Sequence, residues 1–237
     1  MRQNILNMKK IVLIVSLLAL FSLNGIAQRG TRDFGLKIGP NFNWVGSSST
    51  ADKNLGTRLG FGLGAFVDNY FTDRMALSIG LNFNLTRLHY QFTDYRLVEN
   101  FLTPSIVSVN RRFKGGYIEL PVKVKVKFPV VDSWNAFAEA GGGIGVNLSA
   151  RGKDVYDYYG ISFDDSHYTD CSSDYRLLQF ALHFGLGVEY ELSSKIDLFA
   201  QLTSRNSLSN MFTRELKNLT GSNLKAYFIG IEIGIMY

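Results

Sequence analysis

DFGLKIGPNFNW, residues 33–44, places Phe34, Leu36, Ile38, Phe42 and Trp44 on one parity and Asp33, Gly35, Lys37, Gly39, Asn41 and Asn43 on the other. Alternate side chains of a strand point to opposite faces, so this segment reads as a strand with one apolar and one polar face. It is about twice as long as an ordinary strand of a soluble protein. It matches the roughly 9–11 residues a tilted strand needs to cross a bilayer.

The same pattern recurs along the chain about eight times. Leu77, Ile79, Leu81, Phe83 and Leu85 alternate with Ser78, Gly80, Asn82 and Asn84. Ile118, Leu120, Val122, Val124, Val126 and Phe128 alternate with Glu119, Lys123, Lys125 and Lys127. Further repeats run through Leu59–Asp68, Ala136–Leu148, Leu178–Tyr190, Ile196–Arg205 and Tyr227–Tyr237. The gaps near 70–74, 129–133 and 192–195 are short, and those near 45–57, 93–115, 149–175 and 206–223 are long. Short turns at one end and long loops at the other predict an all-β transmembrane antiparallel up-and-down barrel of about eight strands, with short periplasmic turns and long extracellular loops. Outward aromatics support this: Phe34, Phe71, Phe128, Trp134, Tyr190 and Tyr237 fall near the turn end, Trp44 and Tyr227 near the other rim. Such girdles form where amphipathic rings meet lipid headgroups. A soluble sandwich or lipocalin-like barrel turns its apolar face inward, and its polar face would carry far more charge than the Gly, Asn, Ser and Thr found here.

The N-terminus gives the compartment. Arg2, Lys9 and Lys10 precede the apolar run Ile11–Phe21, and Gly25 and Ala27 stand at −3 and −1 of a cleavage site. This order predicts a secretory signal peptide over residues 1–27, cut between Ala27 and Gln28, followed by a barrel domain over 28–237. The run is about half the ~20 residues of a spanning helix. Removing that segment leaves 22 basic against 20 acidic residues, so the formal +5 of the whole chain gives no basic-surface argument for nucleic acid. Cys171 is the single cysteine, so no internal disulfide forms.

Alternation points Lys37, Arg58, Lys123, Lys125, Lys127 and Arg205 inward, together with Asp33, Asp68, Glu119, Glu139, Glu189, Asp197 and Glu232. Unpaired charges in a narrow barrel cost several kcal/mol each, so these residues are expected to form a lumen charge network. Eight strands leave just enough interior for side chains to fill. The alternative use of the same residues is a narrow ion path. Pro121 cannot donate a ladder hydrogen bond, and a bulge is expected there.

At Tyr117-Ile118-Glu119-Leu120-Pro121-Val122-Lys123-Val124-Lys125 the chain resembles the PorT-like outer-membrane β-barrel family, related in shape to the OmpX and OmpA barrels. Gly35–Gly39, Ala138–Gly143 and Phe184–Tyr190 fit the same family. The resemblance covers the whole chain after the signal segment and rests on architectural residues. It implies outer-membrane lipids and the barrel-assembly machinery as partners, with Tyr237 as the terminal aromatic of an assembly signal. One branch of that family serves type IX protein secretion, and no motif here selects the branch.

Chemistry-bearing constellations are sparse. His167 beside Asp164, Asp165 and Ser166 is a hydrolase-like composition, but adjacency in a loop is not triad geometry. One Cys and three scattered His show no metal spacing. Gly141–Gly143 lacks the strand–turn–helix context of a phosphate loop and reads as room in the lumen. No catalytic, cofactor or metal site is therefore expected. Loop 151–175, with its Tyr and Asp residues, has the composition of an adaptable binding loop, or of a solvated surface loop that folds against the basic Arg111, Arg112 and Lys114 of a neighbouring loop. Those basic residues could instead meet lipid phosphates. Leu97, Val98, Phe101, Leu102, Ile106 and Val107 could cap the barrel or bind a partner. The function expected is non-enzymatic: an outer-membrane barrel presenting loops to an extracellular partner, with a secretion-apparatus component and a small passive pore as alternatives.

Overall fold

The computed structural model describes residues 32–50, 52–96, 105–158, 161–164, 167–216 and 221–237. The signal segment, the Ala27/Gln28 cleavage, and Leu97, Val98, Phe101 and Leu102 lie outside the described residues. The period-2 segments become long strands: β1 (Arg32–Ser47), β3 (Arg58–Thr72), β4 (Met75–Arg96), β5 (Ser105–Val131), β6 (Trp134–Tyr158), β9 (Leu178–Ser193), β10 (Ile196–Ser207) and β11 (Leu224–Met236). Each pairs antiparallel with the next, and β1 pairs with β11, so the eight strands close a barrel. Three short strands extend it: β2 (Lys53–Asn54) on β4, and β7 (Ile161–Asp164) and β8 (Thr169–Asp170) on β6.

At one end, two-residue turns at Asp73-Arg74, Asp132-Ser133 and Ser194-Lys195 join the strands. Asp132 adopts φ 34° in its turn, a conformation tolerated by Asp in tight hairpins. The opposite end carries the loops. The stagger can be followed around the wall. Phe42 pairs with Ile229, then Ser204, Phe184, Ala140, Val124, Leu77 and Asn69, and the row returns to β1 at Arg32, ten residues below its start. Eight strands with a shear of ten imply a tilt of about 40°.

Pro121 does not produce the expected bulge. The β4–β5 ladder skips the positions between Ile79↔Val122 and Asn82↔Glu119 and resumes in the same register. Gly80 stands opposite, where a Cβ would lie 3.3 Å from the Pro121 ring. Pro40 leaves a similar gap between β1 and β11. A bulge occurs instead in β6 against Gly116/Tyr117, where Leu148 is the extra residue and the inward parity changes from odd to even.

The wall is inside-out over its lower part. Phe34, Leu36, Ile38, Leu63, Leu186, Ile231 and Ile233 are exposed, whereas Lys37, Asp68, Asn82, Glu119, Lys125 and Arg205 are buried. Towards the loop end the polarity reverses with no change of parity. On β4, Leu77–Leu85 give way on the outer face to Arg87, His89 and Gln91, while the inner face passes from Asn82, Asn84 and Thr86 to buried Leu88, Tyr90 and Phe92. β5 repeats this with Val107, Val109 and Phe113 inside and Arg112 and Lys114 outside. The long gaps expected near 93–115 and 149–175 are therefore largely strand: β4, β5 and β6 continue as one sheet beyond the apolar belt, paired as far as Arg96↔Ser105 and Ser108↔Asp157.

Candidate functional site: the barrel interior and its cover

Inward positions at successive heights assemble three tiers of charge. At the turn end Lys125 Nζ lies 2.6 Å from Asp68 and also pairs with Glu189, while Lys127 Nζ is 2.8 Å from Glu189 and 3.7 Å from Asp33. In the middle Lys37 donates to Glu232 at 2.9 Å and Lys123 donates to Glu139, with Gln201 donating to Glu232. Above them Arg205 Nε donates to Glu119 at 2.9 Å, with His183 Nε2 3.2 Å from the same carboxylate. Arg205 also donates to Gln179 at 3.2 Å and lies over the Tyr117 ring at 4.8 Å. Each carboxylate of the three tiers thus lies within ion-pair distance of a cation.

Between the lowest two tiers Phe66, Phe137, Phe199 and Met236 form a small apolar layer. Its aromatic rings lie over glycines of the adjacent strands, Phe66 over Gly35, Phe137 over Gly187 and Phe199 over Gly234. Side chains fill the space. The cavity beside Lys37, Lys123 and Glu139 holds about 10 Å³, and that beside Asn43, Tyr117 and Arg205 about 20 Å³. Each is of the order of a single water.

Two residues depart from the network read in the sequence. Arg58 has inward parity but stands at the loop-end rim, exposed, with Nη2 2.8 Å from His89 Nδ1. Asn43 occupies the interior beside it, donating to the Arg58 carbonyl at 3.2 Å, so the guanidinium turns outward. Partial burial, then the positive charges of Arg58 and Arg112, holds the His89 imidazole below its usual pKa. Asp197 points inward but is half-exposed at the turn-end mouth, without an ion-pair partner among the described residues.

Above the charge tiers an apolar plug covers the mouth. Val45, Leu88, Tyr90, Phe92, Val107, Val109 and Phe113 line the extended wall, and Cys171, Tyr175, Met211 and Phe212 fold in from the loops. The two loops are stitched together by Tyr175↔Phe212, by Arg176 N–H to the Met211 carbonyl (2.9 Å) and by Thr213 N–H to the Asp174 carbonyl (2.8 Å). Asp52 ties the first loop to the last, accepting from Ser222 Oγ at 2.7 Å and Asn223 N–H at 3.0 Å.

Arg111, expected in a basic loop beside the acidic one, lies on β5 and is buried inside this plug. It forms a fork to Asp154 with both bonds at 2.7 Å, reaches Asp174 at 2.8 Å and Tyr175 Oη at 3.3 Å, and lies 5.1 Å over Phe92. Tyr175 Oη in turn hydrogen-bonds Tyr90 Oη. Burial pushes the Tyr90 and Tyr175 hydroxyls up, so both stay neutral, and pushes the Cys171 thiol up to about 12. The expectation that the acidic loop folds against basic neighbours is realised here. Asp165 and Ser166, beside His167, lie outside the described residues, and Asp164 pairs with Lys153 at 3.3 Å. Among the described residues no His/Cys/Asp/Glu group could hold a metal ion.

A family model described as an outer membrane protein beta-barrel domain matches residues 26–213. Solved structures similar to this chain include Neisserial surface protein A, 12% identical, covering 85% of this chain and 95% of that one, with a TM-score of 0.42. Another is the attachment invasion locus protein Ail of Yersinia pestis, 14% identical over 86% of this chain and 98% of that one, TM-score 0.37. A third is the outer membrane protein OprG from Pseudomonas aeruginosa, 11% identical over 86% and 94%, TM-score 0.40. No curated protein matches the sequence.

Proposed function

This chain belongs to the outer membrane protein beta-barrel domain family and lies in the outer membrane of a Gram-negative bacterium, and from that premise we propose that it is a non-conducting, non-catalytic anchor presenting its extracellular sheet for binding. The observation that carries this reading is the division of the barrel into two parts. The membrane part is packed solid, with interior cavities of about 10 and 20 Å³. The part beyond the belt is soluble-like: polar outside, apolar inside, with the β4–β5–β6 sheet projecting from it. A path for ions would have to pass three tiers of paired charge and the Arg111 plug. His183 is held against Glu119 inside that packing, an arrangement suited to structure.

Planar-bilayer recording of the purified protein tests the closed state. Silent membranes at ordinary voltages are expected. Reproducible unitary steps in the wild type, lost on Lys125→Met or Glu189→Gln, would assign the pore role instead. The resemblance at Tyr117–Lys125 to the PorT-like family keeps one further reading open, a part in type IX secretion, which no motif in the chain selects. Deleting the gene and measuring exported proteins in the medium tests it, and unchanged export removes it.

A further inference from the structure

Arg87, Lys114 and Arg151 stand directly opposite one another across three adjacent strands, through the ladder pairs Arg87↔Lys114 and Lys114↔Arg151. The next outward row repeats the pattern with His89, Arg112 and Lys153. Side chains of directly opposed residues stand only about 4.5–5.5 Å apart at Cβ, and like charges so placed destabilise a sheet. Arg87, Arg112, Lys114 and Arg151 are exposed and belong to no ion pair among the described residues. Their acidic surroundings are thin. Asp164 is taken by Lys153 at 3.3 Å, and Asp170, opposite Arg151 on β8, accepts from Ser172 N–H at 2.9 Å and offsets part of the charge. Tyr168 supplies a ring face 4.0 Å from Lys114 Nζ.

The height of these rows matters. Arg87 is the next outward residue above Leu85, which is 47% exposed in the lipid belt, and Lys114 stands two outward positions above Ile118. The cations thus begin where the apolar face ends. At the rim of β1 and β11 the outward residues are instead the stacked pair Trp44 and Tyr227, 6.2 Å apart. The directly opposed rows of cations lie in the β4–β5–β6 sector of the wall, whereas Arg58 on β3 is hydrogen-bonded to His89 and Lys225 is a single outward cation above Tyr227.

We propose that this sector binds the phosphate groups of a phosphorylated glycolipid in the outer leaflet. Continuity with the belt selects a lipid over a soluble polyanion. An occupant that neutralises Arg87, Lys114 and Arg151 from the side must also cover Leu85 and Ile118 with acyl chains. Long basic side chains on such a surface keep their stems on apolar ground and their heads at the phosphate level. The lipid's phosphates supply the counter-charge that the facing strands lack.

Native mass spectrometry of the protein, delipidated in neutral detergent and offered defined lipids, tests this. The probes are a bis-phosphorylated lipid A, its dephosphorylated counterpart with the same acyl chains, and water-soluble inositol hexakisphosphate. Each basic residue near an anionic surface contributes roughly fivefold, so three give about a hundredfold preference for the phosphorylated lipid. The triple variant Arg87→Gln/Lys114→Gln/Arg151→Gln is expected to lose most of that preference. A control at the turn end, Lys195→Gln, keeps it. In neutral detergent without lipid the triple variant melts no lower than wild type, because opposed like charges are gone. Equal binding of the dephosphorylated lipid, or an unchanged preference in the triple variant, overturns the proposal. Displacement of the lipid by inositol hexakisphosphate at equal concentration would also overturn it, by marking a soluble-polyanion site. A triple variant that melts lower would show the three residues supporting the wall, with the same consequence.

Discussion

Removing Glu119 is the most direct perturbation of the barrel interior. Its carboxylate is fully buried, 2.9 Å from Arg205, which is itself 1% exposed, and 3.2 Å from His183. At 2.9 Å two unit charges attract by about 6 kcal/mol at an effective dielectric near 20. Desolvation offsets part of this in the intact pair. In Glu119→Ala the guanidinium keeps its burial and loses its counter-charge, retaining Gln179 and the Tyr117 ring. The expected loss is about 3–5 kcal/mol, the range for breaking a buried pair from one side. Glu119→Leu combined with Arg205→Met removes both charges and is expected to recover most of that loss. The assay is urea unfolding from phospholipid vesicles, followed by the fluorescence of Trp44 and Trp134, with the four corners of the double-mutant cycle. If Glu119→Ala lies within about 1 kcal/mol of wild type, or the two sites prove additive, the lumen at this height is wet and the packed-interior argument fails.

Gly141 and Gly142 make a sharp local contrast. A Cβ on Gly141 would meet the Val122 carbonyl oxygen at 2.1 Å, whereas one on Gly142 meets nothing nearer than 3.5 Å. Gly141→Ala is expected to destabilise by at least about 1–3 kcal/mol in the same titration and Gly142→Ala to be nearly silent; similar effects would mean the strands are not this close. Cys171, buried with its thiol pushed up to about 12, should react with a water-soluble maleimide at pH 8 far more slowly than a free thiol. Arg111→Ala, which releases Asp154 and Asp174, should accelerate that labelling at least about tenfold, and rapid labelling of the wild type would contradict a closed plug. Tyr237 exchanges both backbone hydrogen bonds with Phe34 at 2.8 Å while its ring faces outward. If that ring is also read by the assembly machinery, Tyr237→Asp lowers the heat-modifiable folded band in cells much more than after refolding in detergent. Equal losses would leave only the closure role.

Parity was the legible quantity. It placed Lys37, Lys123, Lys125, Glu139 and Glu232 inside and the Ile229–Ile235 ladder outside, because a side chain's face depends only on its own position in the strand. Partners were not legible. Which carboxylate meets which ammonium depends on height, and height depends on a stagger of ten residues that no local pattern records. Lys37 and Glu232 meet across 195 residues of sequence. Arg58 failed for the same reason: its parity is inward, but its height is the rim. The extension beyond the belt was missed because apolar residues were expected outside. Leu88, Tyr90 and Phe92 keep the parity of Asn82 and Asn84, so a change of polarity within one unbroken alternation was the available signal. Arg111, set between inward Val109 and Phe113, looked like a loop cation until Asp154 and Asp174 were seen to converge on it.

The pairing of β1 with β11 bears on when the barrel comes into being. Every other wall contact joins consecutive long strands and can zip as soon as the second has been made. This one must wait for the final residues, and joining ends nearly 200 residues apart costs about 5 kcal/mol of chain entropy if attempted from the open coil. The Pro40 gap also leaves fewer bonds along this line to repay that cost. Until it forms, two bare strand edges face their surroundings, and in hydrocarbon each unpaired peptide group costs several kcal/mol. A half-inserted open sheet is thus a poor resting state. Completion of the last strand and entry into the membrane become a single late event, in which the two bare edges vanish into one another.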